Sequence, residues 1–253
     1  MRVFVYEYLT ATGIGRDPAS PEHGMYREGR AMRDALVADF ARVTGVDVFA
    51  FPDEAAPVEA EWFWEVCRAA VSDWTVVIAP ETGDTLSDEC RSVESHGGRV
   101  LGPSREAVRL CADKVALANH WRANGVPTPA TSDREPTACE LFPVVWKPRD
   151  GAGSTDTFLV RDRFERAAAL AARDPARPMI LQEFVPGTAA SVAFLCGPRE
   201  QLPLLPAFQR LSGDGRFRYE GGELPIPPDL AERAARLARA AVGCAPGLLG
   251  YVG

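Results

Sequence analysis

Lysine occurs at only two positions in this chain, Lys114 and Lys147, although the chain carries 28 basic residues. An ammonium is a compact point charge on a flexible stem and suits a single phosphate oxygen, whereas a guanidinium binds in a planar, bidentate way. Lys147 closes the apolar run Val144-Val145-Trp146, and Pro148-Arg149-Asp150-Gly151-Ala152-Gly153-Ser154 follows it. Consecutive backbone N–H groups among small residues can approach phosphate oxygens closely, and Ser154 adds a hydroxyl donor. The loop leads back into the β-rich stretch Thr157–Val160 and opens no helix. It therefore reads as a flap over phosphates, not as a P-loop. An ordinary glycine-rich hairpin has the same composition.

A second segment, Met179-Ile-Leu-Gln182-Glu183-Phe184-Val185-Pro186-Gly187, runs from an apolar strand into a polar pair and a Pro-Gly break. The free backbone groups of such a strand end suit a nucleotide base, with Phe184 and Val185 against its face and Glu183 accepting from the ribose or the base amino group. A solvated Gln-Glu pair at a strand end would look alike. Lys114 follows Asp113 inside a helical pattern, where a lysine is normally a solvated face residue. Its rarity here, and the order lysine, lysine, glycine loop, Gln-Glu strand end, make the three pieces a set.

These pieces must be positioned by two kinds of architecture. Residues 1–103 alternate strands with helices: strands at Val3–Tyr8, Val46–Phe51, Trp74–Ala79 and Arg99–Leu101, helices at Glu22–Val43, Glu59–Ser72 and Asp88–Ser95. That alternation predicts a parallel sheet with helical crossovers. Trp62, Phe63, Val66 and Ala69 share one helical face and read as core or interface. No Gly-x-Gly-x-x-Gly joins a strand to a helix there, which argues against a classical dehydrogenase. From residue 104 the pattern becomes α+β. Ser104 caps a helical run to Gly125, then come strands at Pro143–Lys147, Thr157–Val160, Met179–Phe184, Ser191–Cys196 and Leu202–Leu211 and a helix at Asp162–Arg173. Strands joined directly across a glycine loop are expected to pair antiparallel. Asp229 is expected to cap an Ala/Arg-rich helix before a last strand at Leu248–Val252.

The bulk numbers narrow the classes. A net charge of −7 without a basic run argues against a nucleic-acid binder. No segment has the roughly 18–20 consecutive apolar residues of a membrane helix, and Glu7 interrupts any signal-peptide core, so a cytoplasmic location is expected. Residues 1–100 carry a net −9 and the remainder +2, which places a domain boundary near Leu101-Gly102-Pro103-Ser104. Cys67, Cys90, Cys111, Cys139, Cys196 and Cys244 form no Cys-x-x-Cys pair and read as reduced and mostly buried. His23, His96 and His120 are too far apart for a local metal motif.

The ordered set resembles the ATP-grasp superfamily of carboxylate–amine ligases. Within it, Val5-Tyr6-Glu7-Tyr8 with Thr-Ala-Thr-Gly13, Glu28-Gly29-Arg30-Ala31-Met32 and Tyr219-Glu-Gly-Gly222 are similar to the tyramine–glutamate ligase group of methanofuran biosynthesis and its bacterial relatives. The resemblance implies an α/β domain over 1–103 preceding an ATP-grasp domain over 104–253. It places Lys114 and Lys147 on the nucleotide phosphates, Gly151, Gly153 and Ser154 in the flap, and Gln182, Glu183, Phe184 and Val185 at adenine and ribose. It implies ATP-dependent amide formation through an acyl phosphate from small amino-acid-like acid and amine substrates. Arg210 is the candidate for holding the substrate carboxylate or the acyl phosphate, a structural salt bridge being its alternative. It also implies Mg²⁺, held in such ligases by a late acidic residue and a Glu-x-Asn pair. Asp and Glu are absent after Glu232, so these ligands are expected beyond residue 253 and the chain is expected to be shortened. The competing expectations are a nucleotide-binding but catalytically inactive regulatory or partner protein, and a metabolite-binding α/β protein without ATP. The helices of the acidic first domain are a possible homodimer interface.

Overall fold

The run Val3-Phe4-Val5-Tyr6 has no polar break, as a strand covered on both faces requires. In a computed structural model of the chain it is the middle of a parallel sheet. The structure describes residues 1–51, 72–137 and 141–253, which form two units, residues 1–108 and 109–253. In the first, β1 (Arg2–Glu7) lies between β2 (Asp47–Ala50) and β3 (Trp74–Ile78), all parallel. The expected strand at Arg99–Leu101 shrinks to a single parallel bridge, Thr75 to Val100. The predicted Trp62 helix lies outside the described residues, as do Cys67 and Cys139.

The alternation of strands and helices does build a parallel sheet here. Helix α1 (Tyr8–Thr12) follows β1 directly, α2 (His23–Phe40) crosses back to β2, and α3 (Thr85–Ser95) follows β3. Phe4, Tyr6, Ala11 and Val93 form the core, with Phe49, Phe51 and Val77 packed against it. Two motifs noted in the sequence meet in this unit. Glu7 is buried and caps α1, accepting from the amides of Leu9 at 3.1 Å and Thr10 at 2.7 Å. Gly29 on α2 lies against the same carboxylate, where a Cβ would stand 2.7 Å from its carbon.

The second unit is antiparallel throughout. Its four-stranded sheet runs β4 (Thr131–Ser132), β7 (Met179–Glu183), β5 (Val144–Pro148), β6 (Phe158–Val160). One face packs on α6 (Arg163–Ala172) through Val144, Trp146, Phe158, Val160, Leu181 and Ala169, with Trp146 fully buried. The expected strands 191–196 and 202–211 each divide between two sheets. Here β8 (Ala190–Ser191), β11 (Ala207–Leu211) and β12 (Tyr219–Glu223) form one, while β9 (Phe194–Cys196), β10 (Gln201–Pro203) and β13 (Gly250–Val252) form the other. Pro206 stands just before β11, and proline cannot donate to a ladder. Helix α7 (Pro228–Gly243) begins with proline at its first turn; Pro227 takes the cap position expected of Asp229, which lies within the first turn. Cys90 and Cys196 are buried free thiols, and Cys111 and Cys244 are half-buried. No helix among the described residues is long and apolar enough to cross a membrane.

The Glu7–Gly29 contact sets a test. Gly29→Ala is expected to lower the stability of the first unit by about 1–3 kcal/mol through overpacking. Gly24→Ala, on the same helix with open space around it, should raise it by up to about 1 kcal/mol. Urea denaturation followed by circular dichroism reads both; equal effects would show that Gly29 holds no close approach.

Candidate functional site

Strand alternation decides which residues of β5 leave the core. Val144 and Trp146 turn to α6, so Lys147, next in the chain, takes the opposite face. That face borders a cavity of ≈ 1090 Å³ within the second unit. In the β5–β7 ladder Val145 stands opposite Gln182 and Lys147 opposite Ile180. Lys147 and Gln182 are thus diagonal neighbours on one face, and Lys147 Nζ donates to Gln182 Oε1 at 2.8 Å.

Lys114 arrives by a different route. The predicted helix from Ser104 to Gly125 is two helices, α4 (Arg105–Ala112) and α5 (Lys114–Ala123), because Asp113 between them is extended at φ −91°, ψ 101°. Ser104 does cap α4, its Oγ accepting from Ala107 N–H at 3.2 Å. Asp113 caps α5, accepting from Val115 N–H at 2.9 Å and Ala116 N–H at 3.1 Å. Its other carboxylate oxygen takes Arg149 Nη2 at 2.6 Å, and the Lys114 amide donates to the Arg149 carbonyl at 3.1 Å. A double tie thus holds Asp113 and Lys114 to Arg149, just past Lys147. Asp113 and Arg149 were missed in the sequence; an Asp at a helix cap position beside the rare lysine was the available signal.

The glycine loop is shaped by left-handed residues: Gly151 (φ 71°), Gly153 (φ 74°) and also Ser154 (φ 57°) and Asp156 (φ 48°). Lys114 Nζ donates to the Gly151 carbonyl at 2.7 Å, and Ser154 Oγ donates to the Phe217 carbonyl at 2.7 Å. Arg177 stands between the two ends of the loop, 4.0 Å from Asp150 and 3.5 Å from Asp156. Pairing of β7 with β5 ends at Glu183 opposite Val144, so Phe184 and Val185 lie beyond the ladder. The Phe184 ring is 6.4 Å from that of Phe217.

Of the residues singled out in the sequence, Lys114, Lys147, Gly151, Ser154, Gln182, Glu183, Phe184 and Val185 border this one cavity. Gly153 is exposed at the loop tip and does not border it. Arg210 does not border it either. Gln209 and Leu211 face the cavity, and the period-two alternation of β11 turns Arg210 the other way, its guanidinium beside Gly221 of β12. Phe217, Arg177, Arg233 and Leu237 also border it and carried no local sequence signal.

Electrostatics single out Lys147. Burial, and then the charge of Lys114, push its ammonium down to about 8. Burial works against the Asp113 carboxylate, yet Arg149 and the capped amides of Ala116 and Val115 hold it below the usual carboxylate range. Two ammonium groups beside a small-residue loop can receive a polyanion. A resident Mg²⁺ fits less well. Among the described residues no three of His, Cys, Asp and Glu converge to hold a metal ion. The cavity's carboxylates face other groups, Asp150 toward Arg177 and Glu183 toward the Ala130 amide.

The profile of the ATP-grasp domain matches residues 111–253, and that of the pre ATP-grasp 3 domain matches residues 31–108. The chain is 26% identical over 270 residues to a tyramine–L-glutamate ligase of Methanocaldococcus jannaschii, covering 99% of this chain and 76% of the relative. Its fold is similar to an ATP-grasp superfamily protein of Archaeoglobus fulgidus, with a TM-score of 0.70 and 24% identity over 99% of this chain and 74% of that one. It is also similar to the D-alanine–D-alanine ligase of Bacillus anthracis complexed with ATP, with a TM-score of 0.69 and 16% identity over 99% and 79% of the two chains.

The Asp113 tie makes a second test. Asp113→Ala loses both cap and ion pair and should cost about 1–2 kcal/mol in thermal or urea unfolding, whereas Asp113→Asn keeps a capping oxygen and should cost less than about 1 kcal/mol. The Asp113 pKa is lower folded than unfolded, so its contribution is present above the ordinary carboxylate range and lost as pH falls below about 4. Asp113→Asn should show a shallower acid loss than the wild type; identical acid profiles would refute the tie.

Proposed function

This chain belongs to the ATP-grasp family, and from that premise we propose that it is an ATP-dependent ligase joining a glutamate-like carboxylate to an aromatic amine such as tyramine. The observation that carries the reading is the convergence of Lys114, Lys147 and the glycine loop on one cavity whose far wall is the strand end Glu183–Val185. The substrate class is taken from the curated relative named above.

In this reading the adenine edge meets the free backbone groups past Glu183, its face packs on Phe184 and Phe217, and the phosphates lie between the lysines and the loop. A carboxylate oxygen of the acid attacks the γ-phosphorus, forming the acyl phosphate and releasing ADP. The amine nitrogen then attacks the acyl carbon, phosphate leaves, and the nitrogen gives up a proton. Lys114 and Lys147 offset charge on the transferring group, and the loop keeps water from the acyl phosphate.

Calorimetric titration with ATP should show binding that Lys147→Ala weakens by about 10- to 100-fold, the loss of a charge-assisted contact. ADP release should require glutamate and tyramine together. No ATP binding by the intact chain would overturn the reading, and binding without acid- and amine-dependent ADP release would favour the nucleotide-binding, inactive alternative.

The lowered pKa of Lys147 gives a further expectation. Only its protonated form attracts phosphate, so ATP affinity should be flat at neutral pH and fall as pH rises through about 8, approaching tenfold per pH unit. Lys147→Arg, which stays charged, should bind with a flatter profile from pH 7 to 9. A wild-type profile as flat as that of the arginine variant would sink this assignment.

A further inference from the structure

We infer that Thr131 and Gln182 form a one-way hydrogen-bond relay that positions the Lys147 ammonium in the cavity. The inference rests on the reading of that cavity as the nucleotide site. The direction follows from the donors. Thr131 Oγ1 donates its proton to the Pro129 carbonyl at 3.0 Å, so toward Gln182 it is left with lone pairs. Gln182 Nε2 donates to Thr131 Oγ1 at 2.9 Å, and this turns Oε1 to Lys147 Nζ, 2.8 Å away. An ammonium has donors alone, so the opposite amide orientation would set donor against donor.

Register permits the chain of contacts. Thr131 of β4 stands opposite Gln182 of β7, and Gln182 stands opposite Val145 of β5, one pleat from Lys147. Gln182 is therefore a positioning residue acting through Lys147, and Thr131 acts through Gln182. The charged groups bordering the cavity with Lys147 are Lys114 on α5, Asp150 and Arg177 on the loops, Glu183 at the end of β7 and Arg233 on α7. Of these, the Lys114 charge lowers the Lys147 pKa, by like-charge repulsion. The Gln182 oxygen supplies the ammonium with a neutral acceptor. A carboxylate in its place would hold the ammonium as a fixed ion pair and compete with an incoming phosphate.

The chain has only two lysines, so [¹³C]lysine labelling gives two side-chain titrations, assigned with Lys114→Arg and readable without ATP. Wild-type Lys147 should titrate near 8. Thr131→Val frees the Gln182 amide to turn and should lower that value by about one unit, with Thr131→Ser restoring it and Gln182→Glu raising it by about one unit or more. The pH at which ATP affinity begins to fall should move in the same directions. A Lys147 titration identical in wild type, Thr131→Val and Gln182→Glu would overturn the relay. Should Thr131→Val fail to fold, Gln182→Glu decides alone, and an unmoved titration overturns it. If the Lys147 titrations shift as stated while the wild type binds no ATP, the relay stands and the nucleotide reading falls.

Discussion

An ammonium group stands one residue from a fully buried indole, and the second unit is arranged around that adjacency. Trp146 anchors the sheet to α6, so Lys147 must face the other way, into the cavity. Removing an ammonium from water is costly, and a second ammonium nearby adds repulsion. The Gln182 oxygen offsets part of that cost with one oriented acceptor. The rest is an electrostatic demand that an anion entering the cavity would satisfy, which is how a site gains affinity for a polyanion.

The arginines do different work. Arg149 ties Asp113 at the start of α5, Arg177 stands between the two aspartates flanking the glycine loop, and Arg173 reaches Glu135. Planar guanidinium groups suit such fixed ties, while the flexible ammonium groups meet a backbone carbonyl and a side-chain amide that a ligand can displace. Ser154 links the glycine loop to the Phe217 carbonyl, so the loop and the aromatic wall share a hydrogen bond. The loop shape and the aromatic wall are thereby coupled through the Ser154 hydroxyl.

Much of this was legible in the chain because the signals were local. The apolar strand run Val144-Val145-Trp146 closed by Lys147, the helical spacing of α2 and the parallel arrangement of the first unit followed from period and composition. The break at Asp113 carried only the weak local signal of a capping residue, and its second hold, the ion pair to Arg149 36 positions away, had none. The division of 191–196 and 202–211 between two sheets was hidden for a similar reason: apolar strands of either sheet look alike until their partners are known. Arg210 was a candidate from its place late in the 202–211 segment, and its facing depended on which side of β11 the cavity lies, which the sequence left open.

The sequence by itself determined which chemistry was on hand: two lysines among many arginines, a small-residue loop, a Gln-Glu strand end, and helix and strand periods that confine each to an element. Only the tertiary structure decided which of them share a cavity and in which direction each hydrogen bond runs. The reason is physical. Residue type and period act over a few positions, whereas facing, register and the orientation of an amide depend on which donors and acceptors distant segments bring together.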